Sequence, residues 1–186
     1  MKNLFSQRLR WYIGAPQKQS TWKKLCINTH IAEIRPTQFF TEINMNVSAR
    51  NIFKGKITAL VDGAVNAEVE LTTASGDQII AIITAGSVKS LGLAVGKEAV
   101  AYVKAPWVMV LVGDADVRFS ARNQYTGQVT SLVKGGVNAE IGIELPGGTV
   151  IHAVITNDAV LELGLKQGVT ATALIKASHV VLGVPA

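Results

Sequence analysis

The chain has very few of the residues that cross-link a protein or anchor it in a membrane. Its 186 residues include one cysteine, Cys26, so no disulfide can form within the chain. The longest apolar stretches, at 79–83 and 107–112, are much shorter than the roughly 20 residues that a membrane-spanning helix needs. Residues 1–15 contain both basic and apolar side chains and lack the continuous hydrophobic run that is typical of a signal peptide. We therefore expect a cytoplasmic protein with no membrane partner.

Aromatic and basic residues are also scarce beyond the first quarter of the chain. Six of the eleven aromatic residues, and seven basic residues against two acidic ones, lie in residues 1–46. From Val47 onward there are eleven basic and eleven acidic residues, so the formal charge of +5 comes from the N-terminal segment. Modules that bind nucleic acid combine a basic groove with stacking aromatic side chains. Residues 47–186 have little of either, and the sequence predicts no nucleic-acid partner.

What the chain does contain is an internal repeat with an offset of 72 residues. The motif S-A-R-N at 48–51 recurs at 120–123, and G-x-V-N-A-E at 63–68 recurs at 135–140. About 29 of 65 aligned positions are identical, and the alignment needs no gap. The chain from about Val47 is therefore two copies of one small module, and each copy carries whatever the module does.

Several pairs of polar residues are identical in the two copies, and five of these pairs are considered first because they have no obvious place in a core. Repeated glycine and aliphatic residues are what any duplicated fold retains, because turns and core faces require them. The polar pairs need another reason, either ligand binding or the capping of turns and helices, and both interpretations stay open. They are Ser48/Ser120, Arg50/Arg122, Asn51/Asn123, Thr84/Thr156 and Lys104/Lys176.

Each copy reads as five short strands with one helix between the third and the fourth. Alternating apolar and polar residues over 65–71 predict a half-buried strand, and Thr84 is a suitable N-cap for a helix that ends at Leu91-Gly92. This order is that of an OB-type small barrel. We predict a mainly all-β protein with two tandem OB-fold-like five-stranded small barrels, whose strands in the first copy are 54–60, 65–71, 78–83, 99–104 and 107–112.

The pattern divides the chain into three parts. Residues 47–113 are predicted to form the first module and residues 119–186 the second, with a short linker between them. Residues 1–46 have no counterpart in either copy. We expect this N-terminal extension to be disordered or not part of the native protein, with Met45 as an alternative start. A genuine basic tail or docking arm is the other interpretation.

The retained polar residues have the chemistry to bind a compact oxyanion. Thr84 ends a strand and begins a helix, so its hydroxyl and the first helical N–H groups would point at the same place. Ser87 adds a hydroxyl one turn later, and Ser48 adds another donor. Arg50 and Lys104 supply positive charge. Such a set suits a divalent oxyanion bound mainly by hydrogen bonds, at a site formed either within one module or between subunits.

Taken together, these residues resemble the Mop or molbindin family of TOBE-type domains, which bind molybdate and tungstate. The resemblance covers nearly all of residues 47–184. It rests on S-A-R-N and G-x-V-N-A-E in both copies, T-A-G-S at 84–87, L-G-L at 91–93 and 163–165, and K-A-P at 104–106.

The resemblance implies a function and an assembly. It implies an intracellular protein that binds molybdate or tungstate for storage, buffering or delivery, and that is not an enzyme. Molybdenum would be bound as the oxyanion, with no metal cation and no organic cofactor. The chain would assemble as a homotrimer, with oxyanions bound between neighbouring modules. Molybdate and tungstate are not distinguished.

Carried over position by position, the resemblance implies oxyanion-binding residues in both copies. The first copy would contribute Ser48, Ala49, Arg50, Asn51, Thr84, Ser87, Lys104 and Ala105. The second copy would contribute Ser120, Ala121, Arg122, Asn123, Thr156, Lys176 and Ala177, and Asn66 and Asn138 are further candidates beside the V-N-A motif. The second copy departs from the pattern, because Ala159 stands where the first copy has Ser87, and Asp158 is adjacent. We therefore expect unequal sites.

Other functional classes have less support in the sequence. The three histidines are not repeated, and the shared Glu68/Glu140 pair is typical of a solvated face or a salt bridge. We find no nucleophile–base pair and no metal-ligand spacing. A P-loop is absent, and residues 1–46 are too few and too weakly patterned for a winged helix-turn-helix. The alternative function is an OB-fold module that binds nucleic acid or another protein.

Overall fold

The computed structural model describes residues 47–113 and 116–185. Within these ranges the chain forms two five-stranded antiparallel sheets and two short α-helices. The predicted extension over 1–46, with the alternative start at Met45, lies outside the described residues. None of the helices in the described part of the chain has the length and apolar character needed to cross a bilayer.

The two repeats have the same order of elements. The first comprises β1 (Asn51–Asp62), β2 (Asn66–Thr73), β3 (Gln78–Thr84), α1 (Ala85–Leu91), β4 (Glu98–Val103), a 3₁₀ helix (Ala105–Trp107) and β5 (Met109–Leu111). The second comprises β6 (Asn123–Lys134), β7 (Asn138–Glu144), β8 (Val150–Thr156), α2 (Asn157–Glu162), β9 (Thr170–Ile175), a 3₁₀ helix (Ala177–His179) and β10 (Val181–Gly183). The predicted fold, two OB-like five-stranded barrels with a helix between the third and fourth strands, is confirmed.

The first strand of each repeat is long because it pairs with two neighbours. In β1, residues 51–56 pair with β4 and residues 55–62 pair with β2, with one register shift along the way. At the overlap, Gly55 approaches β2 so closely that a Cβ atom would lie 2.3 Å from the carbonyl oxygen of Thr72. Gly127, the equivalent residue of β6, is similarly close to β7. Glycine therefore permits the close strand contact at which each barrel closes.

The fifth strand of each sheet comes from the other repeat. β10 pairs with β4, where Val181 lies opposite Tyr102, and β5 pairs with β9, where Met109 lies opposite Leu174. The strand orders are β10-β4-β1-β2-β3 and β5-β9-β6-β7-β8. The sequence predicts these strands but gives each fifth strand to its own repeat. It could not reveal the exchange, because the two copies have equivalent sheet edges and either fifth strand could pair with either edge.

The core follows the predicted alternation and extends through both repeats. On β2, Ala67, Val69 and Leu71 are buried, whereas Val65 just before the strand is 74% exposed. The equivalent residues of β7 are buried as well. The buried side chains of the two repeats form one contiguous cluster. Burial of apolar surface is the main favourable contribution to folding, so the two repeats stabilise one another.

Both α-helices begin at a threonine cap, as predicted for the first copy. The Thr84 hydroxyl accepts the N–H of Ser87 at 3.1 Å, and the Thr156 hydroxyl accepts the N–H of Ala159 at 3.1 Å. Helix α1 ends at Gly92, whose φ of 57° is readily adopted by glycine. Each cap satisfies a backbone donor that would otherwise lack a partner. The repeated threonines therefore have a structural role besides any role in ligand binding.

Candidate oxyanion-binding site

Two hydroxyl groups lie together at the start of α1, and we call this pair the hydroxyl cluster. The Oγ1 atom of Thr84 and the Oγ atom of Ser87 are 2.8 Å apart. Asn66 on β2 lies opposite Thr84 in the sheet register, so a third candidate is adjacent. Two helical amides are already engaged, because Ser87 N–H bonds to Thr84 and Ala85 N–H donates to the carbonyl of Val65 at 3.0 Å. The cluster therefore presents chiefly hydroxyl groups to a ligand.

The corresponding position in the second copy has lost one hydroxyl. Thr156 lies opposite Asn138, as Thr84 lies opposite Asn66. Ala159 replaces the serine and contributes only its backbone N–H to the Thr156 cap. Asp158 is exposed in the first turn of α2. The second copy therefore offers one fewer neutral donor and one more negative charge to an anion.

A second group of candidates lines a shallow pocket at the junction of the two repeats. Ser48 and Lys104 are exposed there, and Ala105, which follows the lysine, is buried at the start of the 3₁₀ helix. The pocket lining is mostly apolar, so a polar ligand would depend on the serine hydroxyl and the lysine ammonium. The residues around this junction pocket are Val47, Ser48, Ala49, Tyr102, Lys104, Trp107 and, from the exchanged strand, Val181.

The equivalent residues of the second copy have similar surroundings. Ser120 and Lys176 are exposed, and the alanines that follow them, Ala121 and Ala177, are buried. The two 3₁₀ helices meet between the repeats, where the ring centroids of Trp107 and His179 are 5.5 Å apart. These two aromatic residues occupy equivalent positions, so the junction has approximate twofold symmetry.

The repeated arginines form ion pairs across the two repeats. Arg122 donates to both carboxylate oxygens of Glu68, at 2.8 and 2.9 Å, in a bidentate pair. The equivalent pair, Arg50 and Glu140, is looser, with a single N–O distance of 3.5 Å. Each arginine side chain stays more than half exposed. The S-A-R-N motif of one copy therefore meets the V-N-A-E motif of the other.

The repeated asparagines are buried, and their side chains bridge the two repeats. The Asn51 amide donates to the carbonyls of His152 and Val103, at 2.9 and 3.3 Å, and its oxygen accepts the His152 N–H at 2.7 Å. Asn123 makes the same three bonds to Ile80 and Ile175. Both N–H donors of each amide are therefore used within the protein, and the structure gives these two candidates an architectural role.

The aromatic pair Phe53/Tyr125 is directed into the structure. Phe53 is buried, and the Tyr125 hydroxyl donates to the backbone carbonyl of Gln78. Burial, with a smaller contribution from the Asp77 carboxylate, raises the pKa of the Tyr125 phenol. Neither ring is therefore placed for base stacking.

The sequence candidates thus fall into separate groups. Within residues 47–113 and 116–185, no hydrogen bond or ion pair joins the hydroxyl cluster of Thr84 and Ser87 to Ser48 or Lys104 of the junction pocket. The sequence analysis gave a salt bridge as one interpretation of Glu68 and Glu140, but it did not identify the repeated arginines as their partners. Their identity in both copies was the available signal, although it did not identify the partner.

The chain can now be placed in a family. A model described as "TOBE domain" matches residues 47–110 and again residues 120–182. The chain therefore belongs to the TOBE-domain family, with one domain in each repeat.

Two relatives of the chain have names that refer to molybdenum. The chain is 45% identical over 143 residues to the molybdenum-pterin-binding protein MopA of Rhodobacter capsulatus, which covers 77% of this chain and 54% of the relative. It is 41% identical over 142 residues to the molybdenum transport protein ModE of Azotobacter vinelandii, covering 76% and 52%. The chain thus spans about half the length of the curated relatives it matches.

A solved structure matches the fold of both repeats. It is the cytoplasmic molybdate-binding protein ModG in a form with molybdate bound. The identity is 53% and the TM-score 0.73, and the match covers 76% of this chain and all of the ModG chain.

Proposed function

We propose that this chain binds molybdate or tungstate as the oxyanion, for storage, buffering or delivery in molybdenum homeostasis. The observation that carries the proposal is the likeness to a molybdate-bound protein along that protein's entire length. The proposed binding residues are the hydroxyl cluster, the candidates at the junction pocket and the arginine of the ion pair, namely Thr84, Ser87, Ser48, Ala49, Lys104, Ala105 and Arg50. In the second copy they are the equivalent residues, without the missing hydroxyl.

The chemistry of these residues supports the proposal. Thr84, Ser87 and Ser48 are neutral donors, and Lys104 adds one charge-assisted bond. A dianion surrounded mainly by neutral donors keeps its charge without a matching number of buried cations. Bonds to a charged acceptor are worth more than neutral ones, which compensates for the desolvation of the anion.

We propose further that the site is completed between copies of the chain in a homotrimer. Among the described residues of one chain, no hydrogen bond or ion pair joins the two groups of candidates, which suits a site shared by neighbours. Exposed apolar residues support an interface, since four valines at the tips of the first hairpin of each repeat are 63% to 75% exposed. They are Val61, Val65, Val133 and Val137.

The remaining parts of the proposal concern the whole protein. We propose a cytoplasmic binding protein that is not an enzyme, formed by modules at 47–113 and 119–186. The alternative is an OB-fold module that binds nucleic acid or another protein. A relative described as a DNA-binding regulator, ModE of Escherichia coli, is 33% identical over 144 residues, which cover 53% of ModE. The inward direction of Phe53 and Tyr125 favours the oxyanion.

Equilibrium dialysis of the full chain against molybdate, tungstate, sulfate and phosphate tests the function, with light scattering for the oligomer mass. We expect saturable binding of molybdate and tungstate and the mass of a trimer. Ser87→Ala is the matched variant, because the second copy has alanine there and still forms a capped helix. It should weaken binding without unfolding the protein. No binding of either oxyanion would refute the function, and a monomer in the presence of ligand would refute the shared site.

A further inference from the structure

The two arginine–glutamate pairs differ in strength although their arginines and glutamates are identical. Arg122 and Glu68 form two short bonds, whereas Arg50 and Glu140 approach only to 3.5 Å. Arg50 is accordingly the more exposed of the two arginines, at 66% against 53%. A difference between the copies near these residues must account for the loosening.

That difference is His152, which occupies the position of Ile80 in the first repeat. The Nδ1 atom of His152 lies 3.3 Å from one carboxylate oxygen of Glu140, while Arg50 faces the other oxygen. Nδ1 is inaccessible to solvent and has no hydrogen bond of good geometry. A buried ring nitrogen beside a carboxylate is best satisfied when it carries a proton that it donates. Glu140 is therefore shared between imidazole and guanidinium, whereas Glu68 serves its arginine alone.

The backbone keeps the histidine in this place. Asn51, next to Arg50 in sequence, bonds to both the N–H and the carbonyl of His152. The backbone of His152 is thus fixed relative to the S-A-R-N motif itself. The ring cannot move away from Glu140 without breaking those bonds or rotating its side chain.

We propose that His152 is a positioning residue that draws Glu140 away from Arg50 and so leaves the Arg50 guanidinium available to the oxyanion. The inference rests on the proposed function, since it concerns the same site. An anion that binds Arg50 replaces a weak ion pair with Glu140, whereas an anion that binds Arg122 has to replace the bidentate pair with Glu68. The oxyanion position that contains Arg50 therefore has the higher affinity of the two, and its affinity rises further when His152 is protonated.

The ionisable groups around the imidazole determine the sign of this effect. Glu140 on β7 is the carboxylate in contact, and Arg50 lies beyond it. The other ionisable residues on elements packed against β8 are Glu144, Asp158 and Glu162, and none forms an ion pair with the imidazole in the described part of the chain. The 3₁₀ helix Ala105–Trp107 and the strand β5 also contact β8, and neither carries an ionisable side chain. Protonation of His152 therefore strengthens its attraction to Glu140 and releases Arg50.

The test measures molybdate affinity of the full chain at pH 8 and pH 6, a range over which a histidine takes up its proton while carboxylates stay ionised. We expect wild-type affinity to rise by about two- to fivefold on going to pH 6, the factor that corresponds to releasing one exposed ion pair. His152→Ile, which installs the residue of the first repeat, should weaken binding at pH 6 by a similar factor and abolish the pH dependence. Ile80→His should introduce the same dependence at Arg122.

Two glutamate variants give an independent reading if His152→Ile does not fold. Glu140→Gln removes the competing charge and should make binding independent of pH at the higher affinity. Glu68→Gln should increase affinity at the Arg122 position by a larger factor, because its pair is bidentate. Equal affinity of the wild type at both pH values, or a pH dependence that survives in His152→Ile or in Glu140→Gln, overturns this inference alone. A wild-type chain that binds no molybdate overturns the proposed function and this inference with it.

Discussion

Asn51 and His152 are 101 residues apart in sequence, yet the side chain of one pairs with both backbone groups of the other. The amide of Asn51 thus acts as a short piece of strand added to β8. Asn123 pairs in the same way with Ile80 on β3. These two residues connect the repeats by hydrogen bonds to the backbone of β8 and of β3.

We expect Asn51→Ala to lower the free energy of unfolding by about 2–4 kcal/mol, because it leaves a part-buried N–H and a part-buried carbonyl of His152 without the amide that pairs with them. Urea denaturation measures the change. Lys54→Ala is the control, since Lys54 is exposed on the same strand and should change stability by less than about 0.5 kcal/mol. Similar stability of both variants would show that water replaces the amide.

Loss of the lysine ammonium should weaken oxyanion binding with little effect on stability. Lys104→Ala removes one charge-assisted bond from the proposed site, and we expect a loss of about ten- to a hundredfold in affinity. Lys176→Ala should have a smaller effect on the tightest sites, because its copy lacks the serine hydroxyl. Titration of both variants with molybdate measures this, and equal losses would contradict the inequality of the two copies.

Restoring the missing hydroxyl should bring the second copy closer to the first. In Ala159→Ser the new hydroxyl would stand where Ser87 stands, 2.8 Å from the capping threonine in the first copy. We expect tighter binding by about tenfold at the weaker positions, which is the low end of the contribution of one hydrogen bond to a charged acceptor. Calorimetric titration with molybdate would resolve the weaker class of sites, and a decrease in affinity would argue that Asp158 dominates there.

A single repeat should not fold alone as a monomer. A fragment of residues 47–113 lacks β10, so β4 would present an unpaired edge and β5 would have no partner strand. We expect two fragments to exchange their β5 strands and form a dimer, as strand exchange is a common route to dimers. Sedimentation over a range of concentrations tests this, and a folded monomeric fragment would show that β5 can return to its own sheet.

Deletion of residues 1–44 should leave binding and assembly intact, since these residues share nothing with the repeats and carry the excess of basic charge. Dialysis and light scattering on the shortened chain measure both properties. Loss of molybdate binding in the shortened chain would instead assign this segment a place in the site.

Local features of the fold could be predicted because they depend on neighbouring residues. Thr84 caps a helix because its hydroxyl reaches an amide three residues later, and alternation along β2 follows from the strand period. The strand exchange and the role of Asn51 could not be predicted, because both depend on which distant residues meet. The repeat identifies the polar residues that both copies retain. Only the structure separates those that bridge the repeats, such as Asn51, from those that face solvent, such as Lys104.

The exchange of β5 and β10 has a thermodynamic consequence. The fifth strand of each sheet is the terminal segment of the other repeat, so neither repeat can unfold without removing a strand from the sheet of the other. We therefore expect the two repeats to unfold in one cooperative transition. An oxyanion bound at either copy stabilises the folded state as a whole by mass action. The melting temperature of the entire chain would then report the occupancy of both proposed sites, including the weaker one that we expect in the second copy.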